Sequence, residues 1–260
     1  MSVLWFIEDV HQRGLDGWRA AVSGPLVAWT EAHSVDRLPR VVREAERVVF
    51  HGSLAVAHAL ARHPAVEPGA FCEVDSLAFP AWARQVEDRL VSRAWVSSTV
   101  RELVDDTARV VGEVTDGTKV FVRPASPLKP FSGRLLDTEN SLTADVLDHG
   151  YYYDDLDLPI VVAAPVRVGA EWRFVVVDGR CVAWSGYLAD GRLSAERMLP
   201  VDVQALAAEL ASVIEVADPV YVLDLARVDG EARLVELNPF SGADLYGCDL
   251  RAVATAVEGL

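Results

Sequence analysis

Hydrophobic and polar positions change rhythm near residue 93. Before it, compact apolar runs at Val3 to Ile7 and Val48 to Phe50, and a weaker one at Pro25 to Trp29, alternate with stretches of helical spacing. These stretches predict helices near Gly14 to Val22, Leu54 to Arg62 and Phe79 to Val91, with Ser53 as a candidate N-cap and Pro80 suited to a first helical turn. Alternation of this kind predicts a small α/β lobe around a partly parallel sheet. After residue 93 the pattern becomes a series of mostly Val-rich strands: Trp95 to Thr99, Lys119 to Arg123, Ile160 to Val168, Trp172 to Val177, Arg180 to Tyr187, Tyr221 to Arg227 and Ala232 to Leu237. Asp-Gly turn signals stand at Asp116-Gly117, Asp178-Gly179 and Asp229-Gly230. Two helices interrupt this half. One runs from Asp202, its N-cap, to Val216, with Val203, Leu206, Leu210, Val213 and Ile214 at helical spacing; the other spans about Asp249 to Glu258. The acidic-aromatic stretch from Tyr151 to Asp157 reads as an exposed connection. The shift from βα alternation to antiparallel strands predicts two lobes, 1–92 and 93–260, with a cleft between them.

The last hairpin, from Val220 to Leu237, sets Asp224, Glu236 and Asn238 into or beside strongly apolar strands, where an unpaired carboxylate pair raises its pKa or costs several kcal/mol. Side chains alternate along a strand, so Glu236 and Asn238 share a face. A three-residue loop, Asp229 to Glu231, pairs Asp224 with Glu236 and gathers all three polar side chains. A two-residue loop, Asp229-Gly230, instead puts Val235 opposite Asp224 and sends Asp224 and Glu236 to opposite faces. In the first register two carboxylates and an amide suit a hard divalent cation such as Mg2+. The alternative is an edge hairpin whose polar residues face water.

Composition narrows the classes. The chain has 260 residues, 51% of them apolar, and a mean hydropathy of +0.19, enough for a substantial core. No apolar run approaches the roughly 20 residues of a membrane span, and the N-terminus lacks a basic leader region, so a cytoplasmic protein is expected. Cys72, Cys181 and Cys248 are odd in number and far apart, which predicts buried thiols rather than a disulfide framework. The six histidines show no ligand spacing in the second half. A net charge of -15 and a pI near 4.8 disfavour duplex nucleic acid, whose phosphates need clustered Lys and Arg. A local basic pocket for a small polyphosphate is compatible with that exterior. No Gly-x-Gly-x-x-Gly or P-loop motif is present.

Two basic features remain. The segment Phe121-Val-Arg123-Pro-Ala-Ser-Pro-Leu-Lys129-Pro-Phe-Ser-Gly133-Arg134 starts as a strand and becomes a loop of small residues and prolines carrying three cations. Such a loop can lie over phosphates, or it can be merely solvated. Glu171 and Arg173, two apart at a strand start, share a face; Arg173 could grip a phosphate bidentately, or the two could form a surface ion pair.

The order of these elements resembles the ATP-grasp superfamily, and the wording Phe-Val-Arg-Pro, Lys-Pro-Phe-Ser-Gly, Glu-Trp-Arg and Glu-Leu-Asn-Pro-Phe-Ser-Gly is most similar to its R-two-K clade, over about residues 93 to 250. The resemblance implies an α+β ATP-grasp fold: an N-terminal α/β lobe followed by antiparallel-sheet lobes enclosing a nucleotide cleft. It implies ATP and Mg2+ as cofactors, with Asp224, Glu236 and Asn238 as the metal ligands. Arg123 stands where the family's strand lysine usually does, and Lys129 takes the phosphate from the loop. The backbone of the hinge strand Ile160 to Val166 would face adenine, with Val162, Ala163 and Ala164 as the contacts; Glu171 would face the ribose or the metal-phosphate cluster, and Arg173 the terminal phosphate or acyl-phosphate. Lys129 and Arg173 are the implied catalytic residues; Ser241, Gly242 and Asp244 would border the acceptor. The implied reaction is carboxylate-amine ligation through an acyl-phosphate, on small-molecule or peptide substrates. Phosphoryl transfer to a hydroxyl and a nucleotide-binding module without turnover are the other readings. Two departures stand out: a Pro-rich loop replaces the usual Gly-rich one, and no evident first-lobe lysine is present, although Arg93 or Arg101 could substitute.

Overall fold

The computed structural model of the chain describes residues 2–139, 155–189, 192–193 and 198–260. Four of the seven residues of the expected connection at 151–157, 151–154, lie outside them. The first apolar runs form a parallel sheet of β1 (Leu4–Glu8), β2 (Leu26–Trp29), β3 (Val48–His51) and β4 (Pro68–Gly69) in the order β2-β1-β3-β4. β1 and β3 are buried almost throughout, as strands covered on both faces must be. Helices α1 (Gly14–Ala21), α2 (Arg40–Glu44) and α3 (Leu54–Leu60) connect the strands. Because β2 and β3 flank β1 on opposite sides, the chain reverses direction across the sheet between β1 and β3.

The helix expected from Phe79 to Val91 is shorter. After α4 (Val74–Leu77), helix α5 spans only Phe79–Ala83, and a single 3-10 turn follows at Glu87–Arg89. Leu77, Phe79, Trp82, Val86 and Leu90 pack into the core beneath the third sheet rather than the first. That tertiary burial overrides the helical spacing.

The second sheet contains β5 (Trp95–Thr99), β6 (Lys119–Pro124), β7 (Arg134–Asp137) and β8 (Pro159–Ala163), antiparallel in the order β5-β8-β6-β7. Thr99 and Glu102 form a reciprocal capping box at the start of α6 (Val100–Asp105), and α7 (Thr107–Gly112) follows. Val120, Val122, Ile160 and Val162 point to these helices and make one core with Leu103 and Val110. The strand predicted to reach Val168 ends at Ala163. Ala164 turns its N–H to the Ala94 carbonyl at 2.9 Å, and Pro165 has none to give.

The third sheet joins β9 (Glu171–Val177), β10 (Arg180–Ala189), β11 (Arg192–Leu193), β12 (Val220–Val228) and β13 (Glu231–Pro239) in the order β11-β10-β9-β12-β13. Its neighbours are all antiparallel. Helix α8 (Val201–Val213) starts one residue after Pro200, so Asp202 is a first-turn residue paired with Arg227 rather than the N-cap. Helix α9 (Leu250–Glu258) is capped by the Asp249 carboxylate.

Period-2 alternation divides the third sheet. Trp172, Phe174, Val176, Tyr221, Leu223 and Leu225 face α8 and the 77–90 segment. Val175, Val177, Val220 and Val222 face Trp5, Ile7, Val49 and α9, which docks the first sheet onto the third. On that second face the apolar positions stop at Val175 and Val222, and the next side chains are Arg173 and Asp224. The site occupies this polar half. Among the described residues no helix is long and apolar enough to cross a membrane.

Candidate nucleotide and metal site

The hairpin uses the two-residue turn. Asp229 and Gly230 both adopt left-handed backbone, φ 50° and 86°, and Val228 pairs with Glu231. Continued without interruption, that register would oppose Val235 to Asp224. A β-bulge intervenes: Leu225 pairs with Leu234, yet Asp224 pairs with Glu236, leaving Val235 as the extra residue. Leu234 and Leu237, three apart, therefore both enter the core, and Glu236 and Asn238 emerge on the face of Asp224. The convergence expected of a longer loop is achieved by a bulge.

Across the sheet, Ser185, Arg173, Asp224 and Glu236 are successive register partners on β10, β9, β12 and β13. Asp224 is fully buried and receives a bidentate pair from Arg173, Nε to Oδ1 at 2.9 Å and Nη2 to Oδ2 at 2.7 Å. The Asn238 amide bridges the carboxylates, donating to Asp224 Oδ2 at 2.9 Å and to Glu236 Oε1 at 3.0 Å. From the second sheet Arg123 donates to Glu236 Oε2 at 2.6 Å, and Lys129 Nζ donates to Oε1 at 2.7 Å. Three cations thus meet two carboxylates, with Glu171 a third carboxylate beside them, in a protein of net charge -15.

Burial alone would push the Glu236 carboxyl up. Arg123 and Lys129, with the Asn238 hydrogen bond, outweigh it and hold the group at about 2. A depressed carboxyl stabilises the fold above its ordinary value of 4.5, and that contribution is lost as the pH falls through 2. Glu236→Gln is expected to flatten the acid limb between pH 4.5 and 2, which urea unfolding across that range measures; an unchanged slope would show that the two cations do not hold Glu236 in solution.

A cavity of about 340 Å3 opens between the second and third sheets beside this row. Its wall combines Phe79, Trp95, Phe121 and Phe131 with Val161, Ala163 and Ala164, and its polar end is Arg123, Lys129, Glu171 and Glu236. An apolar slot with convergent charges at one end has the form of a small-ligand site. The Arg123 guanidinium lies 5.2 Å over the Phe79 ring. Lys129 reaches Glu236 from a left-handed backbone, φ 50°, in a loop whose Leu128 packs against the core of the first sheet.

The two carboxylates fit a hard divalent cation that completes its shell with water and phosphate oxygens, and the Asn238 amide, whose N–H2 group donates to both of them, would join as a ligand by turning its oxygen inward. Each carboxylate accepts three of these hydrogen bonds, which leaves one lone pair for a metal. Among the described residues no group of three or more His, Cys, Asp or Glu could hold a metal by itself.

The ATP-grasp domain of R-two-K clade family 3 matches residues 28–257. The chain belongs to that family. No curated protein matches. Among solved structures, this R-two-K protein is similar to D-cycloserine synthetase DcsG, at 17% identity over 98% of this chain and 99% of the other, with a TM-score of 0.58. It is similar to D-alanine–D-alanine ligase from Bacillus anthracis complexed with ATP, at 13% identity over 99% and 96%, with a TM-score of 0.57. A third likeness is to the ATP-grasp ligase PsnB complexed with a precursor variant, Mg and ADP, at 14% identity over 100% and 99%, with a TM-score of 0.56. The fold of this R-two-K protein is the ATP-grasp fold, of α+β class, and its structural neighbours include ligases.

Not every residue expected at the site of this R-two-K protein reaches the cavity. Arg123, Lys129, Ala163, Ala164, Glu171 and Glu236 line it. The Val162 side chain does not: alternation turns it into the core of the second sheet. The Ala164 N–H, one candidate to read a base, is already bonded to Ala94. Arg173 does not line the cavity either, because Asp224 and the Asp244 carbonyl, at 2.6 Å from Nη1, hold its guanidinium, over which Tyr246 stacks at 5.0 Å. Ser241 is fully buried and donates to the Phe50 carbonyl at 2.7 Å. Gly242 sits so close to α3 that a Cβ would come within 2.5 Å of Leu54. These two residues dock the first sheet rather than bordering open space. Asp244 accepts from the backbone N–H groups of Gln12 at 3.2 Å and Tyr246 at 2.8 Å, tying the loop after β1 to the loop that holds Arg173. Among the cavity aromatics Phe121 and Phe131 lie within the basic motif itself and Trp95 reads from the sequence as a core or interface aromatic, while Phe79 and the 90–92 segment carry no sequence signal for the site.

Proposed function

We propose that this protein is an ATP- and Mg2+-dependent carboxylate-amine ligase. Residues 1–92 serve as the lobe preceding the grasp and residues 93–260 as the nucleotide-binding and catalytic region. The single observation that carries the reading is the meeting, at the polar end of an apolar slot, of Arg123 from the second sheet and Lys129 from its loop with Glu236 of the third, behind which Asn238 and the buried Asp224 stand. Adenine would occupy the slot against Phe121, Trp95 and Ala163, and the phosphates would lie toward Arg123 and Lys129. Asp224, Glu236 and Asn238 would hold Mg2+, which when bound neutralises charge on the phosphates and polarises the terminal one.

In the reaction a carboxylate oxygen attacks the γ-phosphorus as the bond to the β–γ bridging oxygen breaks, and ADP leaves. An amine nitrogen then attacks the acyl carbon, phosphate departs, and the amine proton is released. Lys129 and Arg123 would stabilise charge that grows on the transferred group, an electrostatic and positioning task requiring no protein nucleophile. Arg173 would act through Asp224, fixing the carboxylate in one rotamer, and is better described as a positioning residue. Glu171, at the cavity edge, would face the ribose, and Asp244 would sit toward the acceptor.

Supplying ATP, Mg2+ and a panel of carboxylates with hydroxylamine should trap an acyl-phosphate as a hydroxamate, with ADP formed in equal amount. Phosphate appearing on a hydroxyl acceptor instead would favour phosphoryl transfer. The two-fold engagement of Glu236 by the protein's own cations supports one further reading, a nucleotide-binding module without turnover. Tight Mg-ATP binding with no ADP from any acceptor would select it.

A further inference from the structure

We infer that His51 makes the docking of the first sheet onto the third, and with it the loop that holds Arg173, sensitive to mild acid. This holds whatever reaction the chain performs. His51 closes β3 and is 2% exposed, yet neither of its ring nitrogens makes a hydrogen bond. A buried polar ring without partners is costly and calls for a reason. Other rings enclose it: Trp18 of α1 at 4.9 Å between centroids, His11 from the loop after β1 at 5.0 Å, and Phe240 from the turn after β13 at 5.2 Å. The residues on either side of His51 carry the docking. The Gly52 N–H donates to the Ser241 carbonyl at 2.8 Å, and the Ser241 hydroxyl donates to the Phe50 carbonyl at 2.7 Å. Beyond Ser241, the Asp244 carbonyl accepts from Arg173 and its carboxylate accepts from the Gln12 N–H. His51 therefore sits where the first sheet, the 240–246 loop and the anchor of Arg173 join.

A neutral ring tolerates this cage and a charged one does not. An imidazolium donates from both nitrogens, so it needs two acceptors or water. The cage supplies neither. From β1 the register partner is Ile7, and the Glu8 carboxylate is turned to the Ser53 N–H at 2.7 Å. From the loop after β1 comes His11, whose own charge would repel a second one, while Asp9 accepts from the Leu15 N–H at 3.1 Å. Helix α1 contributes Trp18, its Asp16 and Arg19 being paired with each other at exposed positions. The 240–246 loop contributes Phe240 and the Ala243 backbone, which favours a charged ring, while its Asp244 is held by Gln12 and Tyr246. Burial first, and then His11, outweigh Ala243 and keep His51 well below its ordinary value of 6.5. The undocked ring takes a proton near 6.5 and the docked one does not. Docking is therefore at full strength above pH 6.5 and weakens below it, by up to about tenfold per pH unit. Water reaches the ring only when Trp18 and Phe240 part, which lifts the 240–246 loop from β3.

Hydrogen exchange of the full chain from about pH 7.5 to about 5.5, corrected for intrinsic rates, reads the docking segment by segment. In wild type, protection at 48–54 and 239–248 should fall by up to about tenfold per unit below pH 6.5, while β6 keeps its protection. His51→Phe keeps an aromatic ring that cannot charge and should lose this acid response. His51→Leu takes its place if that variant does not fold, judged by its thermal transition. Asp218, which accepts the Glu73 N–H just before β12 and is raised to about 6 by burial, acts in the opposite sense, adding stability as the pH falls through 6. The difference between wild type and variant isolates His51. In wild type the His51 Cε1–H resonance should also hold its neutral position across the range. Unchanged protection at the two segments would overturn the inference, as would an equal acid response in the variant or a parallel loss in β6. So would a His51 resonance that titrates while both segments stay protected.

Discussion

Replacing Asp224 with alanine is expected to lower stability by about 3–5 kcal/mol, the cost of stranding a buried charge. The cause is Arg173, only 9% exposed in its side chain, which loses both of its bonds to the fully buried carboxylate. Asp224→Asn should cost less, since an amide oxygen still accepts one of the two bonds, but it removes the charge that pairs with the guanidinium. Combining Asp224→Ala with Arg173→Met should recover much of the loss, because the unpaired cation goes with its partner. Urea unfolding of the three variants measures this. A loss below about 1 kcal/mol for Asp224→Ala is the outcome expected of an exposed pair and would contradict a buried one. An activity loss in an Asp224 variant is therefore interpretable only alongside its stability.

Removing Lys129 is the second large effect, and it falls on binding. Lys129→Ala should weaken Mg-ATP binding by roughly 10- to 100-fold, the worth of one charge-assisted contact of about 1.5–3 kcal/mol. The ammonium is 42% exposed and lines the cavity, so the fold should lose little. Arg123→Ala should weaken binding comparably and loosen the aromatic wall, since the guanidinium also rests on Phe79. Arg173→Ala should show the reverse balance, a large stability loss with any binding defect arising through Asp224. Calorimetric titration with a non-hydrolysable analogue separates these cases. Equal binding losses in folded Lys129 and Arg173 variants would place both on the phosphates.

The hairpin illustrates what could be read from the sequence. Alternation put Glu236 and Asn238 on one face, and Asp229-Gly230 marked the turn. The register stood open because one bulge residue, Val235, changes the phase of everything after it, and an extra valine in a Val-rich strand has no distinct signature. The partner of Arg173 was hidden for another reason. It depends on β9 and β12 being neighbours, although α8 and two strands lie between them in sequence. Glu171 and Arg173 share a face as alternation requires, yet one lines the cavity and the other is consumed by Asp224. Likewise Phe79 carried a helical pattern, and only its packing against the third sheet brings it to the cavity wall. The basic loop was legible because proline, serine and glycine with three cations form a local pattern. Leu128 docking on the first sheet is a long-range contact and was not.

The most direct test of the central claim is a crystal structure with Mg2+ and a non-hydrolysable ATP analogue. The account predicts the base in the slot beside Phe121 and Ala163, the phosphates on Arg123 and Lys129, and a metal ion on Glu236, Asn238 and Asp224. A nucleotide bound elsewhere, or Glu236 still held by both cations at saturating analogue, would contradict it.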